Sequence, residues 1–170
     1  MPQAALEHEE LHRIFAEYFD DVWRFLVRLG ASSSDAEDLS QEVFVVVHRR
    51  LSSFDRSRSM RAWLFGIARN VLRDHRRLAR HRRETFEGEL DEERSDPQFR
   101  ALESANVVRV GLRGLPEPLR AVVILHDLEE LEMREAADAL EIPLDTAYAR
   151  LRRGRELLRA AIAEREGGAS

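Results

Sequence analysis

The chain has 170 residues, 44% hydrophobic and 35% charged, with a formal net charge of -5 and no cysteine. That length suits one medium domain or two small ones. The absence of cysteine excludes disulfides, thiolate zinc sites and cysteine nucleophiles, and no stretch approaches the roughly 18 apolar residues of a membrane span. The opening residues, MPQAALEHEE, lack a basic run leading into an apolar one, so a soluble cytoplasmic protein without a secretory signal is the expectation.

Net charge conceals a strong pattern along the chain. Residues 1–39 carry a net -6, residues 40–83 a net +9, residues 84–106 a net -6 and residues 107–170 a net -2. All 27 basic residues are arginine, a uniformity that points first to genomic base composition. Arginine nonetheless brings a planar fork suited to phosphates and base edges.

Leu11, Ile14, Phe15, Tyr18, Phe19, Val22, Phe25, Leu26 and Leu29 recur at helical spacing and predict an amphipathic first helix ended by Gly30. Ser34, three residues before Glu37, has capping-box spacing for a second helix, DAEDLSQEVFVVVHRRL. Its apolar face uses Leu39, Val43, Val46 and Val47. The run of valines has strand propensity, but the flanking polar residues favour helix. A polar loop, Ser52 to Ser59, precedes MRAWLFGIARNVLRDHRRLARHRR. There Leu64, Ile67, Val71 and Leu78 make a packing stripe, and Arg69, Arg73, Arg76 and Arg80 line a different face. A row of cations at helical pitch fits a phosphate backbone better than a small ligand.

ETFEGELDEERSDPQ, Glu84 to Gln98, is acidic and has little apolar periodicity, so it reads as a flexible linker that could shield a basic surface. Beyond it lie a short helix over Ala105 to Leu112, a helix following Leu115 and Pro116 that packs through Leu119, Val122, Val123 and His126, and a shorter one near Met133 to Leu140. After a tight turn at Glu141, Ile142 and Pro143, a last helix runs from about Leu144 to Ile162. Short helix, turn, longer basic helix is the helix-turn-helix order. Ala136, Ala137, Leu140, Ile142, Ala147 and Leu151 fill its joint. Thr146 and Tyr148, near the start of the second helix, could reach DNA directly. Arg150, Arg152, Arg153 and Arg155 lie further along, at phosphate or the groove edge. Asp145 is expected to cap that helix.

Two blocks carry a resemblance. DAEDLSQEVFVVVHRRLSSFD with RAWLFGIARNVLRDHRR, and LPEPLRAVVILHDLEELEMREAADALEIPLDTAYARLRRGRELLRAAI, resemble the two conserved domains of the small bacterial sigma factors of the extracytoplasmic-function (ECF) group, in the sigma-70 family. The resemblance implies an all-α protein of two small helical domains. A region 2-like bundle would occupy residues 1–83, an acidic linker 84–104, and a region 4-like helix-turn-helix domain 105–165. It implies core RNA polymerase as a partner, touched by Asp38, Leu39, Gln41, Glu42 and Phe44. It places the minus-ten element and its melting at Arg56, Arg58, Arg69, Asn70, Arg73, Arg76 and Arg80, and the minus-thirty-five element on the recognition helix. Promoter DNA and an anti-sigma factor follow as further partners. No catalytic residue, metal or cofactor is implied. In the family, the turn often has glycine where this chain has Glu141, and the recognition helix often begins Gly-Thr-Val where this chain has Asp145, Thr146 and Ala147.

Three other readings compete on the residues alone. HEELH, His8 to His12, matches a zinc-protease motif, but so short a match is expected by chance. A stand-alone helix-turn-helix regulator would more often carry a dimerisation or ligand domain. A helical adaptor would bind neither polymerase nor DNA.

Overall fold

The computed structural model describes residues 3–85 and 103–168, all the regular structure of which is helical. The expected acidic linker falls largely outside the described residues. The chain divides into two compact units, one built on α1 (Gln3–Arg28), α2 (Ser33–Arg50) and α3 (Met60–Thr85), the other on α4 (Glu103–Arg113), α5 (Glu117–Val123), α6 (Met133–Ala139) and α7 (Leu144–Gly167). Among the described residues, no helix is long and apolar enough to cross a membrane.

In the first unit, α1 buries Ile14, Val22, Phe25 and Leu26, and the ring of Phe25 lies 4.6 Å from that of Phe65 on α3. Gly30 ends α1 as expected. Its φ of 108° is left-handed, and the next amide, Ala31, donates back to the Leu26 carbonyl at 3.0 Å. The start of α2 differs from expectation. The cap is Ser32, whose hydroxyl accepts from the Asp35 amide at 3.1 Å, so Ser34 already lies inside the helix. Both serines have cap chemistry, and the extended backbone at Ser32 decides between them. The consecutive valines are helical. Val43 and Val47 are buried, Val46 is partly so and Val45 faces solvent, which is the helical period rather than the alternation of a strand. Leu78 departs from its expected packing role. It is 52% exposed, because α3 continues past the end of the packed bundle.

In the second unit, α7 packs against α4, α5 and α6, and Ala136, Ala137, Leu140, Ala147 and Leu151 are buried at the helix-turn-helix joint, with Ile142 partly so. Arg120 fastens the α4–α5 turn by donating to the carbonyls of Arg113 at 3.0 Å and Leu115 at 2.9 Å. After Val123, the helix widens into a π-type turn, Ile124–Leu128, where the Glu129 amide reaches the Ile124 carbonyl at 2.9 Å. Glycine lets two helices meet at Gly154. A Cβ there would fall 2.7 Å from Val123 Cγ2 and 3.3 Å from the Leu119 carbonyl oxygen.

The turn after α6 is a Schellman stop. The Ile142 amide donates to the Ala137 carbonyl at 3.0 Å and the Glu141 amide to the Asp138 carbonyl at 3.1 Å. This geometry puts Glu141 at φ 53°, a conformation that costs a side chain about 1 kcal/mol. Glu141→Gly removes the Cβ strain, and the unfolded-chain entropy it adds opposes this only in part. The expected net result is a rise of a few degrees in the melting midpoint of this unit. Glu141→Ala, which keeps the Cβ, gives no comparable rise by the same thermal melt.

Candidate functional site

Three surfaces gather the residues singled out in the sequence. The first is the outer face of α2. Asp38, Gln41 and Glu42 are exposed there. Leu39 and Phe44 are not. They are 2% and 6% exposed, and the Phe44 ring packs on Phe15 at 4.9 Å and Phe19 at 6.0 Å. Both therefore support the helix from beneath and are not part of its outer face. Val45 takes their place on the surface. It is 49% exposed, and at about 100° per residue it shares a stripe with Asp38 and Glu42. The sequence signal was available, since Val45 lies seven residues after Asp38, but an apolar side chain invites assignment to the core.

The second surface is the loop before α3 together with α3 itself. The loop is ordered from within. Asp55 accepts from the Ser57 amide at 3.0 Å and its hydroxyl at 2.7 Å, bonds that hold its carboxyl below the usual range. The Arg58 amide donates to the Asp55 carbonyl at 3.0 Å, and the Phe54 ring lies 4.5 Å from that of Trp63. Ser59 caps α3, its hydroxyl accepting from the Ala62 amide at 3.2 Å. Arg58 sits 3.9 Å from Asp55 and stays largely exposed. Arg56 forms a fork with Glu10 of α1, with Nη2 donating to Oε2 at 3.1 Å and Nη1 to Oε1.

On α3 the expected row divides. Asn70, Arg73 and Arg80 are exposed and Arg76 is partly covered, but Arg69 is only 9% exposed. Arg69 lies in the stretch of α3 that also buries Val71 and Leu72, so little of it is exposed beside the cationic row. Arg82 and Arg83 extend the exposed charge toward the end of α3.

The third surface is α7. Ala147, Leu151 and Gly154 face inward, so the helical period directs Asp145, Ala149, Arg152 and Glu156 straight outward. Tyr148 is 54% exposed on one flank, and Thr146 and Arg150 lie partly covered on the other. Two arginines have carboxylate partners. Arg153 donates to Glu156 at 2.7 Å, and Arg155 grips Asp127 of the π turn through Nε at 2.9 Å and Nη2 at 2.5 Å. Asp145 does not cap the helix. The cap position falls on Pro143, and Asp145 stands in the first turn, where a carboxylate still favours the positive end of the helix dipole. His8 and His12 share a helix face with ring centroids 5.2 Å apart. Among the described residues, no three or more His, Asp or Glu side chains form a group that could hold a metal ion.

Comparison with known proteins places both units. The profile for sigma-70 region 2 matches residues 14–83, and that for sigma-70 region 4 matches residues 107–158. The ECF RNA polymerase sigma factor SigW of Bacillus subtilis is 29% identical over 84% of this chain and 83% of its own length. SigM of the same organism is 30% identical over 88% and 93%. The ECF RNA polymerase sigma factor SigC of Mycobacterium tuberculosis is 34% identical over 82% and 76%. The fold is shared with the sigma factor RpoE from Bartonella quintana, solved with the anti-sigma factor NepR. The TM-score is 0.80 at 21% identity, over 91% of this chain and 98% of that one. It is also shared with CnrH, solved with the cytosolic domain of CnrY, at a TM-score of 0.69 and 24% identity over 92% and 90%.

Proposed function

Because this chain belongs to the ECF sigma factors of the sigma-70 family, we propose a division of labour among its three surfaces. The protein binds core RNA polymerase and directs promoter recognition and transcription initiation; it performs no bond chemistry itself. The outer face of α2, with Asp38, Gln41, Glu42 and Val45, is the polymerase contact. The loop with Arg56 and Arg58, and the row Asn70, Arg73, Arg76 and Arg80, engage the non-template strand of the minus-ten element as the duplex opens. The recognition helix α7 enters the major groove at the minus-thirty-five element through Thr146, Tyr148, Arg150, Arg152 and Arg153. An anti-sigma factor is a further partner, as it is for the Bartonella protein of the same fold.

The observation that carries this reading is the separation of chemistries within the first unit. A polar face centred on an exposed valine suits a protein partner, and an exposed arginine row on a different helix suits a polyanion. Opening the duplex costs a few kcal/mol per unstacked step, which contacts to the exposed strand must offset. The test is run-off transcription with sigma-free core polymerase from the same species across a genomic promoter library. Specific transcripts that vanish with Asp38→Arg support the assignment. Undiminished transcripts from Asp38→Arg would remove α2 from the polymerase contact.

Arg155 separates from Arg152, because a forked carboxylate partner on another element already engages it. With its fork closed on Asp127 it contributes no counterion release, so Arg155→Gln is expected to leave the salt dependence of duplex binding unchanged. Arg152→Gln lowers the slope of log K against log salt by about 0.9, the value of one phosphate contact. Asp127→Asn frees Arg155 and steepens the slope by a similar amount. Binding titrations from low to moderate salt measure all three.

A further inference from the structure

The loop from Ser52 to Ser59 satisfies itself almost entirely from its own neighbourhood. Ser53 donates to the Arg50 carbonyl at 2.9 Å, Asp55 is held by Ser57, Arg58 pairs with Asp55, and Phe54 rests on Trp63. Arg56 differs. Its carboxylate partner, Glu10, is 46 residues away in sequence, near the N-terminal end of α1. The loop has its shape without this fork, so shaping the loop is not what the fork adds. What it adds is a negative charge seated on the guanidinium of an arginine whose side chain is still 59% exposed. Arginine grips carboxylate and phosphate with the same pair of parallel N–H···O bonds. Glu10 therefore sits where a strand phosphate would sit. Arg56, with help from Arg13 nearby, holds the Glu10 carboxyl below its ordinary range, so the fork is closed at neutral pH.

We infer that Glu10 is a built-in competitor for nucleic acid, a carboxylate that occupies Arg56 in the free protein and must leave before Arg56 can grip a strand phosphate. The inference rests on the proposal above that this loop meets the non-template strand. Its effect is to discourage the free protein from binding nucleic acid at random, while a strand delivered in register displaces Glu10. An exposed ion pair of this kind is weak, so the competition amounts to a few-fold in affinity.

The test is fluorescence anisotropy of the full chain with a fluorescein-labelled single-stranded oligodeoxynucleotide of mixed sequence, over a salt series. Glu10→Gln keeps the side-chain shape and removes the charge. It should tighten binding about threefold at low salt and steepen the salt slope by about 0.7, one single-strand phosphate. With Arg56→Gln already present, Glu10→Gln should change nothing. If Glu10→Gln fails to tighten binding while Arg56→Gln or Arg58→Gln weakens it, the competitor is overturned and the loop stays on the strand. If Glu10→Gln tightens binding equally without Arg56, its charge acts generally and the specific competition is overturned. If none of the three variants differs from the parent protein, the loop does not meet the strand and the inference falls with that reading.

Discussion

Val45→Glu is expected to weaken binding to core polymerase by at least about tenfold and to silence run-off transcription, with the melting curve of the free protein unchanged. Val45 is 49% exposed, so the substitution opens no cavity and strains no packing. It lies on the stripe of Asp38 and Glu42, with Glu42 one turn before it and Arg49 one turn after, and so forms the apolar centre of an otherwise polar face. Centres of this kind carry a disproportionate share of binding energy, and a carboxylate forced into one must lose its water without a partner. A loss of about 1.4 kcal/mol is already tenfold. Titration of labelled protein with core polymerase reads the affinity, and circular dichroism reads the fold. Phe44→Ala gives the contrast. Phe44 lies 6% exposed beneath that face, and removing its ring costs about 3–5 kcal/mol of stability. Phe44→Ala should therefore lose polymerase binding together with a lowered melting midpoint, whereas Val45→Glu loses binding alone. Full transcription by Val45→Glu would place the polymerase contact elsewhere.

The second large effect is expected in the other unit. Gly154→Val should destabilise the bundle of α4–α7 and abolish duplex recognition while the first unit melts as before. The new Cβ would fall 2.7 Å from Val123 Cγ2 and 3.3 Å from the Leu119 carbonyl oxygen. A side-chain methyl can rotate, but the backbone oxygen moves only if α5 shifts away from α7. Overpacking of this kind costs about 1–3 kcal/mol. In so small a unit, each kcal/mol lowers the midpoint by about 4–8 °C. Gly111→Ala is a gentler control. Its Cβ would come 2.7 Å from Leu158 Cδ1, the far end of a flexible side chain, and backbone is not among its near neighbours. Its smaller loss, set against that of Gly154→Val by calorimetry, measures how much the carbonyl matters.

The helices and their order were legible in the sequence because their apolar residues repeat at a clean helical period and glycine or proline marks several of their ends. The valine run at 45–47 could be read correctly because a strand would have required alternating burial, which the neighbouring polar residues do not support. The helix-turn-helix was legible from its small residues, and Glu141 was visible as the atypical position. Its left-handed backbone became plain only in the structure, since a glutamate there gives no local sign of its conformation. Other details depend on depth. Arg69 and Arg73 look alike as letters at helical spacing, yet one turn separates a buried residue from an exposed one. Leu78 misleads in the opposite direction, because periodicity cannot say where along a helix the packing stops. Pairings between distant residues were invisible altogether. Nothing local ties Glu10 to Arg56 or Asp127 to Arg155, and those pairs decide which cations are already engaged.

The widened turn at Ile124–Leu128 has a consequence for how this chain tolerates changes of length. A π-type turn accommodates one residue more than the same arc of α-helix. Deleting one residue inside the turn therefore offers the backbone an ordinary helical path and leaves the segments on either side nearly in phase, whereas deleting one in the regular stretch of α5 turns everything on one side by about 100° relative to the other. The widened turn is thus the point along this stretch where the chain absorbs the loss of a residue, and a deletion a few residues earlier carries α5 out of register with its own core.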